Sequence, residues 1–247
     1  MVQLLCNYSC EMMVKIGNFF FKYRNIMFPL FYLALFIPSP RMFDDPLIPL
    51  GIGFAIALSG QLTRVMTIGL KYIVRGGRDK KVYAEDLITE GIFSHCRNPL
   101  YVGNVLMLIG TGFMSNSWFF NLVMSPLFYF IYEAIIRAEE NYLRGRFGSA
   151  YEAYCSDVHR WFLKFKGLGS TLSSMEFNWY RVMVKEYNTA YIWLTGVVLV
   201  IANVLREMDY EAYFNIRWYL AGILVLLLFL YLTARAIKKS KRFEPKK

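Results

Sequence analysis

The sequence predicts an all-α fold: a polytopic bundle of about six membrane-spanning helices with both termini on the cytoplasmic side. Three observations lead there. Hydrophobic residues make up 56% of the chain and aromatic residues 18%, above the roughly 45–50% apolar share of an ordinary soluble domain. Apolar runs recur at six places, most of them near the length of about 20 residues that crosses a bilayer. Cationic residues cluster on alternate sides of those runs, as the positive-inside rule requires.

The runs can be taken in order. Residues 16–38 form the weakest, with a short apolar centre, "IMFPLFYLALFIP", that the preceding "NFFF" and snorkelling Lys22 and Arg24 extend. Residues 47–70 open with "LIPLGIGFAIALSG" and carry Gln61, Thr63 and Arg64 in their last turns. Residues 99–114 and 117–136 are separated only by a short "SNS" turn, which predicts a tight antiparallel pair. The fifth and sixth runs are 190–205 and 218–236.

Between them, the segment 71–98 carries Lys71, Arg75, Arg78, Lys80, Lys81 and Arg97. The segment 137–189 carries Arg137, Arg144, Arg146, Arg160, Lys164, Lys166, Arg181 and Lys185, and the tail from Arg235 onward is basic. On the alternate side, 39–46 holds only Arg41, and 206–217 sets Arg206 and Arg217 against Glu207, Asp209 and Glu211. The two long loops therefore share the cytoplasmic face. The division expected is a core at 1–175 and a two-span C-terminal hairpin with a basic tail at 176–247.

The net charge of +10, from 28 Lys+Arg against 18 Asp+Glu, sits beside apolar runs and suits anionic lipid rather than nucleic acid. Four cysteines form no CxxC pair, and with two histidines in the chain neither a disulfide ladder nor a zinc site is expected. Glu11, Lys15, Lys22 and Arg24 interrupt the first apolar stretch, so a cleavable leader is not expected there. Gly76-Gly77 reads as a turn.

Chemistry concentrates in two segments. In "GIFSHCRNPLYVG", 91–103, Asn98 followed by Pro99 is a helix start, asparagine being a favoured cap and proline a favoured first residue. Gly103 and Gly110 lie on the same helix and let a neighbouring helix or a ligand come close. In "AIIRAEENYLRGRFGSAYEAYCSDVHR", 134–160, Glu139 and Glu140 stand just beyond the fourth run. Phe147, Tyr151, Tyr154 and Val158 make an aromatic stripe at helical spacing, with Gly148 a possible break. An acidic pair at the membrane edge, opposite a cationic threshold, points to a ligand or an internal partner.

Together "LITEGIFSHCRNPLYVG" and "AEENYLRGRFGSAYEAYCSDVHR" resemble the integral-membrane methyltransferases typified by isoprenylcysteine carboxyl methyltransferase, with phospholipid methyltransferases as relatives. The resemblance covers roughly residues 50–165. Leu87, Thr89, Gly91, Phe93, Arg97, Pro99, Tyr101 and Gly103 match the first motif. Glu139, Glu140, Phe147, Gly148, Tyr151, Tyr154, Val158 and Arg160 match the second, and Arg64 is a softer match. The resemblance implies S-adenosyl-L-methionine as cofactor. It assigns Asp86, Leu87, Ile88, Phe93, Asn98, Pro99, Leu100, Tyr101, Gly103 and Glu139 to the cofactor pocket. It makes Arg97, Glu140 and Arg137 candidate catalytic groups, Glu140 as proton acceptor should the methyl acceptor be an amine. The implied partners are membrane lipid and a lipid-like substrate, either a prenylcysteine-type carboxylate or a phospholipid-type amine.

Several positions depart from the pattern: Asn98 replaces a histidine, Phe93 a tyrosine, and His159 a proline. Ile135 stands where the isoprenylcysteine enzymes carry an arginine implicated at the substrate carboxylate. His95 and Cys96 fall at variable positions and read as spacers. Two other readings stay open: an NADPH-dependent membrane sterol reductase, which shares the first motif, and a membrane scaffold without turnover.

Overall fold

The computed structural model describes residues 2–70, 84 and 86–240. The cations Lys71 to Lys81, the Gly76-Gly77 turn and the tail cations from Lys241 lie outside the described residues. The regular structure of the described residues is helical: α1 (Val2–Tyr32), α2 (Leu47–Leu70), α3 (Pro99–Met114), α4 (Ser125–Phe147), α5 (Ser149–Asp157), α6 (Leu168–Ser173), α7 (Trp179–Met208) and α8 (Tyr210–Ser240). Among the described residues there is no β-strand, only an isolated bridge between Arg41 and Ser117.

Among the described residues three helices, α2, α7 and α8, are long and apolar enough to cross a membrane, and α3 is a shorter apolar helix of 16 residues. In α8 only 6% of its most apolar window is buried within the chain. A helix so apolar and so uncovered has lipid as its solvent.

Small residues set the closest approach. Gly53, Ala57 and Gly60 on α2 face Gly103 and Gly110 on α3. A Cβ on Gly60 would stand 2.6 Å from the Gly103 carbonyl oxygen, and one on Gly53 would stand 2.6 Å from that of Gly110. Without side chains at these points the two backbones touch, which is how helices gain packing energy where no hydrophobic drive exists. Gly17 of α1 likewise lets α4 come against it at Ala134 and Ala138.

The α3–α4 connection is as short as its sequence predicts. Asn116 turns the chain at φ 55°, a conformation asparagine tolerates better than most residues. Its side chain receives the Phe43 backbone N–H at 3.0 Å and donates to the Phe43 carbonyl at 2.8 Å. A π-turn at Phe120–Met124 leads into α4. That helix outruns the apolar stretch 117–136 and continues to Phe147, carrying Glu139 and Glu140 on a rigid element. Gly148, at φ +50°, breaks the run before α5.

α7 begins at Trp179, well before the apolar stretch at 190. The Asn178 side chain caps it by accepting the Arg181 N–H at 2.8 Å, and the Asn178 N–H donates to the Gly69 carbonyl at 2.9 Å. The polar first turns of α7 are thereby pinned to the end of α2.

Candidate functional site

The two sequence motifs meet. Arg97 N–H donates to the His159 carbonyl at 3.0 Å, and Lys164 N–H to the His95 carbonyl at 2.9 Å. Tyr154 Oη donates to the Phe93 carbonyl at 2.6 Å, and Asn98 Nδ2 to the Arg160 carbonyl at 3.4 Å. The aromatic stripe supports this seam: Tyr151, Tyr154 and Val158 are buried together with Ala84 and Leu143. His95 is a clamp within it, its Nδ1 2.6 Å from the Lys164 carbonyl and its Nε2 2.9 Å from Thr171 Oγ1.

The adjacent glutamates diverge. Successive residues on a helix point about 100° apart, and Tyr101 Oη donates to Glu139 Oε1 at 2.6 Å. Glu140 turns away to an arginine cluster. Arg160 reaches it through Nε at 3.0 Å and Nη2 at 2.6 Å, Arg97 at 3.2 Å and Arg144 at 3.8 Å. Arg160 also donates to Glu133 at 2.6 Å, as does Arg137 at 2.8 Å. Burial lowers the affinity of the Arg160 guanidinium for its proton, but the hydrogen bonds and charge of Glu140 outweigh it and hold the group above its ordinary range.

A cavity of about 460 Å³ lies beside the Tyr101–Glu139 bond, within the size of small-ligand sites. Its wall includes Phe93, Asn98, Pro99, Leu100, Tyr101 and Glu139 from the expected cofactor set. It does not include Asp86, Leu87, Ile88 or Gly103. Asp86 is exposed, Leu87 and Ile88 pack into the apolar clusters around Tyr151 and Phe93, and Gly103 is taken up by the α2 contact. Arg97, Glu140 and Arg137 are not on this wall either; their charges go to the salt-bridge cluster described above. Ile135, fully buried, packs against Phe21 of α1.

Sequence reasoning missed two walls. α1 contributes Arg24, Asn25, Phe28, Pro29 and Tyr32, and α7 contributes Asn188, Thr189, Ile192 and Trp193. Behind α7 stands a buried ion pair. Arg64 of α2 donates through Nε and Nη2 to the two carboxylate oxygens of Glu186, each at 2.7 Å, and Gln61 adds a bond at 3.2 Å. Arg64 also bonds the side chain of Asn104 in the cavity wall. A carboxylate in an otherwise amphipathic stripe, with Trp193, Val197, Val200 and Val204 spaced after it, was the signal available.

Comparison with known proteins bears on the same stretch. Residues 47–150 match the phospholipid methyltransferase family. Three curated relatives each match a part of the chain. The cobalt-zinc-cadmium resistance protein CzcN of Cupriavidus metallidurans is 41% identical over 61 residues, 25% of this chain and 28% of that one. The nickel-cobalt-cadmium resistance protein NccN of Alcaligenes xylosoxydans xylosoxydans is 37% identical over 62 residues, 25% of this chain and 29% of that one. The protein-S-isoprenylcysteine O-methyltransferase of Schizosaccharomyces pombe is 34% identical over 72 residues, 29% of this chain and 30% of that one. The chain thus spans under a third of the length of the curated relatives it matches. No solved structure matches.

Proposed function

We propose that this chain is an integral-membrane, S-adenosylmethionine-dependent methyltransferase acting on a lipid-like acceptor. In this reading it makes six spans, α1, α2, α3, α4, α7 and α8, with both termini and the donor side of the cavity cytoplasmic. One observation carries the reading: the Tyr101–Glu139 bond joins two motifs distant in sequence at the edge of a ligand-sized cavity. The family match over 47–150 supports the reaction class.

The residues of the wall suit the donor. S-adenosylmethionine carries a sulfonium, an ammonium, a carboxylate and an adenine ring. Glu139 offers a carboxylate to its cationic end, Asn98 and Asn104 offer amides, and Phe93 and Trp193 offer apolar faces. Trp193 Nε1 is buried with no hydrogen-bond partner among the described residues, a donor for which a ligand atom is the natural partner. The bound donor supplies an electrophilic methyl carbon; the protein's task is to orient the acceptor against it and to exclude water.

Tyr101 holds Glu139 in place from the first turn of α3. Arg97, Glu140 and Arg160 act as positioning residues by locking the second motif to the first. Four residues both line the cavity and are exposed, namely Asn25 and Pro29 on α1 and Asn188 and Ile192 on α7. The acceptor enters between these helices from the bilayer, and the soluble donor enters from the cytoplasm. Incubating purified protein with methyl-labelled donor and a host lipid extract, then separating the products, should yield a labelled lipid. Glu139→Gln should yield none. Labelling of that variant at the wild-type rate removes the donor-site assignment.

A further inference from the structure

Two arginines line the cavity, and among the described residues only one is paired with a carboxylate. Arg64 is bidentate to Glu186 at 2.7 Å and so adds no net charge. Arg24 of α1 lines the same cavity and forms no ion pair with any carboxylate among the described residues; its guanidinium carbon lies 4.3 Å from the centre of the Phe21 ring. Among the described residues it makes no ion pair with Glu139, the carboxylate of the cavity wall that Tyr101 holds.

Position sharpens the point. Arg24 stands two residues before the apolar centre that begins at Ile26. A cation there that turns inward instead of to solvent is costly unless it faces a polar cavity or a counter-ion. Lys22, two residues earlier on α1, is exposed and is free to snorkel, whereas Arg24 is half-buried and turned to the cavity. Beside Arg24 the wall is Asn25, Phe28 and Pro29, of which Asn25 and Pro29 are exposed on the outer side of the bundle. An anion that reaches Arg24 along this wall comes attached to an apolar chain. Glu139, by contrast, is buried against the α3 start and suits the cationic donor.

We infer that Arg24 is a specificity-determining subsite that binds the anionic oxygens, carboxylate or phosphate, of the acceptor's head group. The cavity then has two poles: Glu139 for the donor and Arg24 for an acidic amphiphile. The inference rests on the methyltransferase reading for the identity of the second ligand, but its test does not depend on turnover.

The full chain in a neutral detergent is titrated with dodecanoate, dodecyl phosphate and the uncharged dodecanamide, and separately with S-adenosylmethionine. Wild type should bind at least one of the two anions roughly tenfold or more tightly than the amide, and the stronger of them identifies the head-group chemistry. Arg24→Gln should abolish that preference and leave amide and donor affinities within twofold; Arg24→Lys should keep much of it. Glu139→Gln should lose the donor and keep the anion preference, so the failure of either assignment is visible separately. The inference is overturned if wild type shows no preference for either anion, if Arg24→Gln keeps the preference, or if Arg24→Gln loses the donor instead.

Discussion

At the scale of single residues, Glu139 and Glu140 show how one step along a helix separates two tasks. Glu139 faces the cavity and holds a hydroxyl; Glu140, 2% exposed, is the shared anion of three arginines. Removing one partner of a buried pair costs about 3–5 kcal/mol, because the charge left behind is uncompensated. Glu140→Gln is therefore expected to lower thermal stability sharply, and Glu139→Gln to keep its melting temperature while losing the donor. Differential scanning fluorimetry on the two variants checks this contrast, and equal destabilisation would refute it. Cys96 gives an independent test. Burial pushes its thiol up to about 11, against the lowering by the Asn98 N–H and the Arg97 charge. At pH 8 a thiol of that kind is about one part in a thousand thiolate. Maleimide should leave Cys96 unmodified in the native protein and label it only after denaturation, as peptide mass spectrometry would read. The pair of glutamates was legible in the sequence as a pair, but not their division of labour, since that depends on which neighbour each side chain meets.

At the scale of elements, α7 does more than its apolar stretch suggests. Its buried stripe runs Glu186, Trp193, Val197, Val200 and Val204, and its N-terminal half brings a carboxylate to Arg64 and a tryptophan to the cavity. Glu186→Ala should destabilise the chain by about 3–5 kcal/mol and also weaken donor binding, because Arg64 loses the partner that aims it at Asn104. Urea or thermal unfolding beside a donor titration checks it; a variant with normal stability would show the pair to be dispensable. The glycine seam has its own test. A Cβ on Gly103 would stand 2.5 Å from Arg64 Cγ and 2.7 Å from the Gly60 carbonyl. Gly103→Leu should part α2 from α3 and lower the melting temperature, whereas Gly145→Leu, with nothing near its Cβ, should not. Sequence periodicity located α2, α3 and the apolar part of α8 well, because hydropathy dominates there. It missed the start of α7 and the full length of α4, where polar turns continue a helix beyond the apolar stretch and tertiary pairing, not hydropathy, keeps them ordered. The two cavity walls from α1 and α7 were invisible for the same reason: proximity across 150 residues of chain leaves no local mark.

At the scale of the molecule, the proposed function requires a cavity reached from two phases, water for the donor and lipid for the acceptor. Six spans require both ends on one face. Tags appended at the two termini should be equally accessible to protease in inside-out vesicles and equally protected in right-side-out ones; opposite protection would demand an odd number of spans. The central claim is that Tyr101 and Glu139 bound a donor site. Calorimetric titration of the detergent-solubilised chain with S-adenosylmethionine tests it most directly. The expected result is one saturable site in wild type, lost in Glu139→Gln and weakened about tenfold in Tyr101→Phe, which removes one charge-assisted hydrogen bond. No binding by the wild-type chain, or affinity for NADPH in its place, would contradict the account.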